Sequence, residues 1–340
     1  MLETAALIHP LRLGRLLLAG NLVLAPMHHH SHLALRLLCR REGAALAHTE
    51  MVTPEDLLAV RPVWAGPGRK ADHVLASTPQ DRPLGVQLLP RDAGPLAESV
   101  AMLAERGAAD LVDLNFACPS RRVVADGRGG ALLRSADLAL ELVEAAVRAS
   151  HLPVTLKMRL GFTDAAADRD RALAIARDAA SAGAAAVTLH ARTVGQGYGG
   201  RADWTTIARW AETLPIPVFG SGDLRSAEAV LAMLRQTCCA GAGIARGALG
   251  APWIFRQVRQ RAAGEIPAPV ERRERRETLL EHFDGLAAQF GEDRAVRLMR
   301  VLGKYYARGI PGAPKARAAL QAASSAAAFR RTVHEWFQDA

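Results

Sequence analysis

Leu111-Val112-Asp113-Leu114-Asn115-Phe116-Ala117-Cys118-Pro119-Ser120 opens as a buried β-strand of alternating apolar and small residues and closes on Asn-x-x-Cys-Pro. Proline cannot donate to a ladder, so Pro119 marks where pairing stops. Asn115 and Cys118 are therefore expected at the carboxyl end of a strand, facing whatever lies over the sheet. In α/β folds an amide and a thiol at that place suit reaction chemistry. A buried structural cysteine is the alternative that Cys-Pro alone leaves open.

Working outward, the chain alternates short apolar runs with longer segments of helical spacing. Strands are expected over 21–27, 44–51, 84–88, 111–115, 154–158, 186–190, 218–220 and 241–244. Helices are expected over 33–41, 94–106, 135–150, 169–182, 204–213 and 226–235, several ending in a glycine-led turn such as Gly43, Gly107 or Gly183. Repeated β-α units within about 250 residues describe an α/β protein, a (β/α)8 TIM barrel. A doubly wound sheet is the competitor, but its first strand leads into a Gly-rich turn, and this one ends in Ala25-Pro26-Met27-His28.

Past residue 256 no further strand is expected. Pro267 and Pro269 mark a linker, and helices follow over 278–290, 294–307 and 315–339, the last of them broken. The chain thus divides into a barrel catalytic domain, 1–256, and a small C-terminal helical domain, 257–340. Arg294, Arg297, Arg300 and Lys304 share one helix face there, as a solvated face or as a surface that follows phosphates. The formal net charge of +9 over 340 residues points the same way, toward a polyanion such as nucleic acid, unless it reflects a general preference for Arg. Cys39, Cys118, Cys238 and Cys239 show no Cys-x-x-Cys spacing, which argues against a zinc or iron–sulfur site and suits a reducing cytosol. With no signal-peptide pattern and no apolar run of spanning length, a cytoplasmic protein is expected, away from the membrane.

If the barrel is right, chemistry gathers at the C-terminal strand ends. In chain order these supply Pro26, Met27 and His28; Glu50; Gln87; Asn115 and Cys118; Lys157 and Arg159; His190 and Arg192; Gly220-Ser221-Gly222-Asp223; and Ala245-Arg246-Gly247. Single polar groups at the tips of apolar strands read together as one pocket. The small residues of the last two sets, with Arg246, suit a phosphate, and Lys157 suits the electron-rich edge of a cofactor. Neither a Walker loop nor a G-x-G-x-x-G follows a strand.

These segments in this order resemble the tRNA-dihydrouridine synthases over nearly the whole chain. The resemblance rests on Leu114-Asn115-Phe116-Ala117-Cys118-Pro119-Ser120, Gly129-Gly130-Ala131-Leu132-Leu133, Lys157-Met158-Arg159-Leu160-Gly161, His190-Ala191-Arg192-Thr193 with Gln196-Gly197-Tyr198, Ala202-Asp203-Trp204 and Pro252-Trp253-Ile254-Phe255. It implies an FMN-dependent barrel reducing specific uridines of tRNA to 5,6-dihydrouridine, with NADPH or NADH as reductant and Cys118 protonating C5. It assigns FMN binding to Pro26, Met27 and neighbouring His28, Gln87, Lys157, His190, Ser221, Gly222, Asp223, Ala245 and Arg246. Asn115, Arg159 and Tyr198 are assigned to the target uracil, and the helical domain to the tRNA backbone. An ordinary thiol, titrating near pH 8.5, is protonated at neutral pH and able to act as an acid. No protein partner is implied.

Three places depart from the family's pattern. His28-His29-His30-Ser31-His32 replaces Gly-(Ile/Val)-Thr-Asp, with Ser31 standing in for the threonine and His32 for the acid. No carboxylate or cysteine follows this run at ligand spacing, so a solvated loop over the flavin is expected and no metal. Gly220-Ser221-Gly222-Asp223 lacks the usual amide, and Ala245-Arg246-Gly247 stands for Gly-Arg-Gly. Two other functions fit the residues less well: an FMN barrel reductase for a free pyrimidine or enone, and an RNA-binding protein whose flavin site has decayed.

Overall fold

Eight parallel strands close into a barrel in the order in which the chain makes them. The computed structural model describes residues 7–59 and 70–338. It opens with an antiparallel hairpin, β1 (Leu11–Leu13) and β2 (Leu16–Leu18). The barrel follows: β3 (Leu22–Leu24), β4 (Leu46–His48), β5 (Leu84–Leu88), β6 (Leu111–Phe116), β7 (Val154–Arg159), β8 (Ala186–His190), β9 (Val218–Ser221) and β10 (Gly241–Ile244), which pairs back onto β3. The TIM barrel expected from the alternation is the architecture found. The hairpin was not expected. Leu13 and Leu18 pack under the barrel with Val23, Leu46, Leu111, Ala186 and Phe219, closing its N-terminal end. The first barrel strand is shorter than 21–27, because Pro26 has no N–H to pair.

Around the strands run α1 (Leu33–Arg41), α2 (Pro54–Leu58), α3 (Lys70–Leu75), α4 (Ala93–Glu105), α5 (Arg121–Ala125), α6 (Ala136–Ala149), α7 (Ala166–Ser181), α8 (Trp204–Thr213), α9 (Ala227–Thr237) and α10 (Ile254–Ala262). Gly43, Gly107 and Gly183 follow α1, α4 and α7 at φ of 104°, 57° and 101°, the left-handed stop that a residue without Cβ adopts at little cost. Alternate strand residues such as Val86, Leu88, Val112, Leu114, Leu156 and Met158 are buried against the helices. Helix α10 runs across residue 256, where the reading of the sequence placed a domain boundary.

Four further helices follow among the described residues: α11 (Arg272–Phe290), α12 (Glu292–Tyr306), α13 (Ala313–Ala322) and α14 (Ala326–Trp336). The expected helix over 315–339 is thus two, with Ser325 capping the second through the N–H of Ala328 at 3.2 Å; residue 339 lies outside the described residues. Arg300 departs from the basic stripe. Its Nε donates to the Ala323 carbonyl at 2.9 Å, so it braces the joint between α13 and α14. Helix α11 lies so close to α1 that a Cβ on Gly285 would stand 2.7 Å from that of Ala34. This docking sets His282 of α11 beside His32, the N-cap of α1, and carries Tyr305 of α12 to the mouth of the barrel. No helix among the described residues is long and apolar enough to cross a membrane.

Candidate active site

Strand register decides which tips meet. Gln87 pairs with Asp113, Asn115 with Lys157, Arg159 with His190, and His190 with Ser221. Residues two apart on a strand share a face, so Asp113 and Asn115 both look inward, as do Lys157 and Arg159. The result is a cavity of about 330 Å³ at the C-terminal mouth, within the range of small-molecule sites. Its wall holds every residue singled out above for cofactor, substrate or catalysis: Pro26, Met27, His28, Gln87, Asn115, Cys118, Lys157, Arg159, His190, Tyr198, Ser221, Gly222, Asp223, Ala245 and Arg246.

The cysteine loop is set by a chain of hydrogen bonds rising from the barrel interior. Asp113 accepts from Thr155 Oγ1 at 2.8 Å and from Gln87 Nε2 at 2.7 Å. Gln87 Oε1 accepts from Asn115 Nδ2 at 3.0 Å, and Asn115 Oδ1 accepts from the N–H groups of Ala117 and Cys118 at 3.0 and 2.9 Å. An ionised carboxylate only accepts, so it fixes which way both amides face. Burial pushes the Asp113 carboxyl up, while neighbouring His48 and the bonds from Gln87 and Thr155 oppose that rise. From the other side, Arg159 donates to the carbonyls of Ala117, Thr193 and Gly197 at 2.7–2.8 Å, tying the cysteine loop to the loop after β8. Gly129 and Gly130 lie beneath. The Gly130 N–H donates to the Cys118 carbonyl at 3.0 Å, and Gly129 sits at φ 59°, where a Cβ would be 2.9 Å from that of Cys118.

The cavity is electropositive. Burial, with Arg159 nearby, lowers the Lys157 ammonium to about 8, and its Nζ makes no hydrogen bond or ion pair among the described residues. Burial also brings Arg159 down to about 10. Burial and four surrounding cations push His190 far below its ordinary value, so its imidazole is neutral at physiological pH. Asp223 is the one carboxylate on the wall, and it is bound: Arg192 Nη2 donates to both oxygens at 2.8 Å, as does the Ala202 N–H to one of them. Burial alone would raise the Asp223 carboxyl; these bonds outweigh it and hold it low. Tyr198, 59% exposed at the rim, has the guanidinium of Arg246 at 4.5 Å and that of Arg159 at 5.5 Å from its ring centre. Cations without free carboxylates, small residues after β9 and β10, and Lys157 held without a protein partner make a wall that fits a planar dianionic cofactor such as FMN.

Several wall residues were not singled out from the sequence: His30, Met51, Arg225 and Tyr305. Met51 Sδ meets Asn115 Nδ2 at 3.4 Å. Glu50 and Arg192, both expected at strand tips, do not line the cavity; Arg192 is buried behind it on Asp223, and Glu50 turns toward His28 and His29. Ser31 accepts from the Met27 N–H at 2.8 Å, and His32 caps α1 through Nδ1.

Residues 23–340 match the family model described as dihydrouridine synthase (Dus). The chain is 38% identical over 322 residues to the probable tRNA-dihydrouridine synthase of Mycobacterium tuberculosis (strain ATCC 25618 / H37Rv), covering 91% of this chain and 80% of that one. It is 35% identical over 333 residues to tRNA-dihydrouridine synthase B of Pseudomonas aeruginosa, covering 96% of both. Among solved structures, histamine dehydrogenase from Rhizobium sp. 4-9 aligns with a TM-score of 0.56 and 16% identity over 83% of this chain and 51% of that chain. An old yellow enzyme homologue from Zymomonas mobilis aligns at 0.53 and 13% identity over 75% and 93%. At such identities these two speak for the barrel fold alone.

Proposed function

The chain belongs to the dihydrouridine synthase family, and from that premise we propose that it reduces uridines of tRNA to 5,6-dihydrouridine, with FMN as cofactor and NADPH or NADH as reductant. The observation that carries this reading is the placement of Cys118 in one electropositive cavity with Lys157, Arg159, His190 and Arg246. Pro26, Met27, His28, Gln87, Lys157, His190, Ser221, Gly222, Asp223, Ala245 and Arg246 would hold FMN. Bound there, FMN supplies the hydride.

The chain's own residues then have distinct duties. Cys118 Sγ holds the proton destined for C5 of the uracil, on a loop whose backbone Asn115 and Arg159 fix from two sides. Asn115, Arg159 and Tyr198 orient the base; every base has a face for an aromatic ring, and Tyr198 stands exposed for stacking. Neutral His190 contributes a hydrogen bond without adding a charge. Lys157 balances negative charge on the cofactor, the task that its unpaired ammonium suits. The barrel with α10, where the expected boundary at 256 falls, acts as the catalytic unit and α11–α14 as the tRNA-binding unit. Arg294, Arg297 and Lys304 are available to the RNA backbone, and Arg308 joins them in place of Arg300, stacking over Tyr305 at 4.6 Å.

The test is to map dihydrouridine by position in RNA from host cells lacking this gene, and again after restoring wild type or Cys118→Ala. Loss at defined tRNA positions, regained with wild type alone, is expected, and purified Cys118→Ala should keep its flavin absorbance. An unchanged map in cells with no second enzyme of this family would overturn the reading. Equal loss of flavin and turnover in the variant would count against Cys118 as the acid.

A further inference from the structure

His28-His29-His30-Ser31-His32 forms the loop between β3 and α1, and its members have separate surroundings. Ser31 closes the loop, His32 caps α1, and His30 sets its ring edge-on to Tyr305 at 6.4 Å. His28 and His29 turn the other way, toward Glu50 just past the end of β4. His28 Nδ1 lies 3.6 Å from Glu50 Oε2, the His29 N–H donates to that same oxygen at 2.7 Å, and the two imidazole rings stand 3.7 Å apart. His29 is held at φ 63°, a left-handed conformation that costs a residue with a Cβ about 1–2 kcal/mol. The loop is thereby folded so that one donor atom from each of His28, His29 and Glu50 lies within 4.8 Å of the other two. Among the described residues, no other set of three His, Cys, Asp or Glu side chains is gathered in this way.

We propose that His28, His29 and Glu50 bind one divalent transition-metal ion of the zinc class at the rim of the cavity. A tetrahedral zinc site with bonds of about 2.0–2.1 Å places its donors roughly 3.3 Å from one another. The His28–Glu50 pair, at 3.6 Å, is already close to that edge. The widest separation in the trio needs to close by no more than about 1.5 Å, within reach of side-chain rotation at exposed His29. An ionised carboxylate offers several lone-pair sites on its two oxygens, so Glu50 can keep its hydrogen bond to the loop and still bind an ion. Two imidazoles and a carboxylate select zinc, cobalt, nickel or copper over magnesium or calcium, which take all-oxygen sets. Three protein donors leave a fourth position for water or an anionic oxygen. His28 also lines the cavity wall, so the ion sits at the edge of the active site without occupying it. Sequence spacing hides this set, because the carboxylate arrives from the neighbouring strand.

Isothermal titration of the full chain with zinc chloride tests the proposal, with cobalt(II) and its visible absorption bands as a second readout. Wild type is expected to bind one ion per chain. His29→Gly removes a ligand while suiting φ 63°, so its fold and flavin absorbance should persist while zinc affinity falls at least about tenfold. Glu50→Gln should lose affinity similarly, and His151→Ala, an exposed histidine elsewhere, should not. The proposal is overturned if wild type shows no one-to-one binding, or if His29→Gly and Glu50→Gln bind zinc as wild type does.

Discussion

Gln87→Glu exchanges an amide for a carboxyl in the hydrogen-bond chain beneath Cys118 and should make this protein's stability depend steeply on pH. In wild type Gln87 Nε2 donates to Asp113 at 2.7 Å, and both side chains are 2% exposed. The substitution, once ionised, would set two carboxylate oxygens at that separation. Their repulsion is about 6 kcal/mol at an effective dielectric constant of 20. That equals roughly four pK units, so the pair keeps one proton up to about pH 8–9. In the unfolded chain the introduced carboxyl loses its proton near pH 4.3. The folded value is raised above the unfolded one, so the folded state binds the extra proton. Stability relative to wild type is then largest below about pH 4.3 and falls by about 1.4 kcal/mol per unit as pH rises. Urea unfolding of both proteins at pH 5, 6 and 7 should show the gap widen by about 2.5 kcal/mol across that range. The protonated form keeps Oε1 for Asn115, so flavin content should be better retained at pH 5 than at pH 7. A gap that stays constant within about 0.5 kcal/mol would refute the view that Asp113 and Gln87 meet as acceptor and donor.

Gly129→Ala forces a Cβ against Cys118 at φ 59° and should cost about 2–5 kcal/mol, whereas Gly107→Ala, at φ 57° with open space, should cost only about 1–2; denaturant midpoints compare them. Lys157, lowered by burial to about 8, is charged below that pH and neutral above it, so flavin affinity measured by fluorescence should weaken as pH rises past about 8. Lys157→Met should lose at least about tenfold in that affinity at pH 7. His282, lowered by burial to about 3, stays neutral in the folded state while its unfolded counterpart takes up a proton below 6.5. Its contribution is complete above that pH and is lost as pH falls, by about 2 kcal/mol at pH 5, so His282→Leu should flatten the acid limb of the stability profile.

How much of this was legible in the sequence depends on the range over which each feature is encoded. Strand tips are local, because an apolar run in phase with period two, broken by Pro26 or Pro119, announces both the strand and its end. Cys118, Lys157 and His190 could therefore be placed on one rim without a structure. Asp113 carried a signal that went unused: a carboxylate inside an apolar strand, two residues before Asn115 and so on its face. The hairpin of β1 and β2 ran together with the apolar stretch after it, although Gly14-Arg15 supplies a two-residue turn with Gly14 at φ 55°. Tyr305 was out of reach, since it arrives at the mouth from α12, whose backbone packs closely on Gly250 while α11 docks on α1 across Gly285 and Ala34.

Partnership between elements is what spacing cannot express, and here it changes the chemistry assigned to residues. Arg300 belongs by spacing to a basic stripe, yet its guanidinium caps a carbonyl of the next helix joint. Asp223 belongs by position to the turn proposed to hold a phosphate, yet Arg192 donates to both of its oxygens, so the acid would not oppose an anion there. The histidine run is expected as a solvated loop because no carboxylate follows it, and β4, next to β3 in the barrel, brings Glu50 beside His28 and His29, where the metal site is proposed. In each case the strand or helix that holds a residue could be read locally, while its role was set by the element beside it. A closed barrel makes every strand a neighbour of two others, so its rim is where readings from one segment alone need most correction.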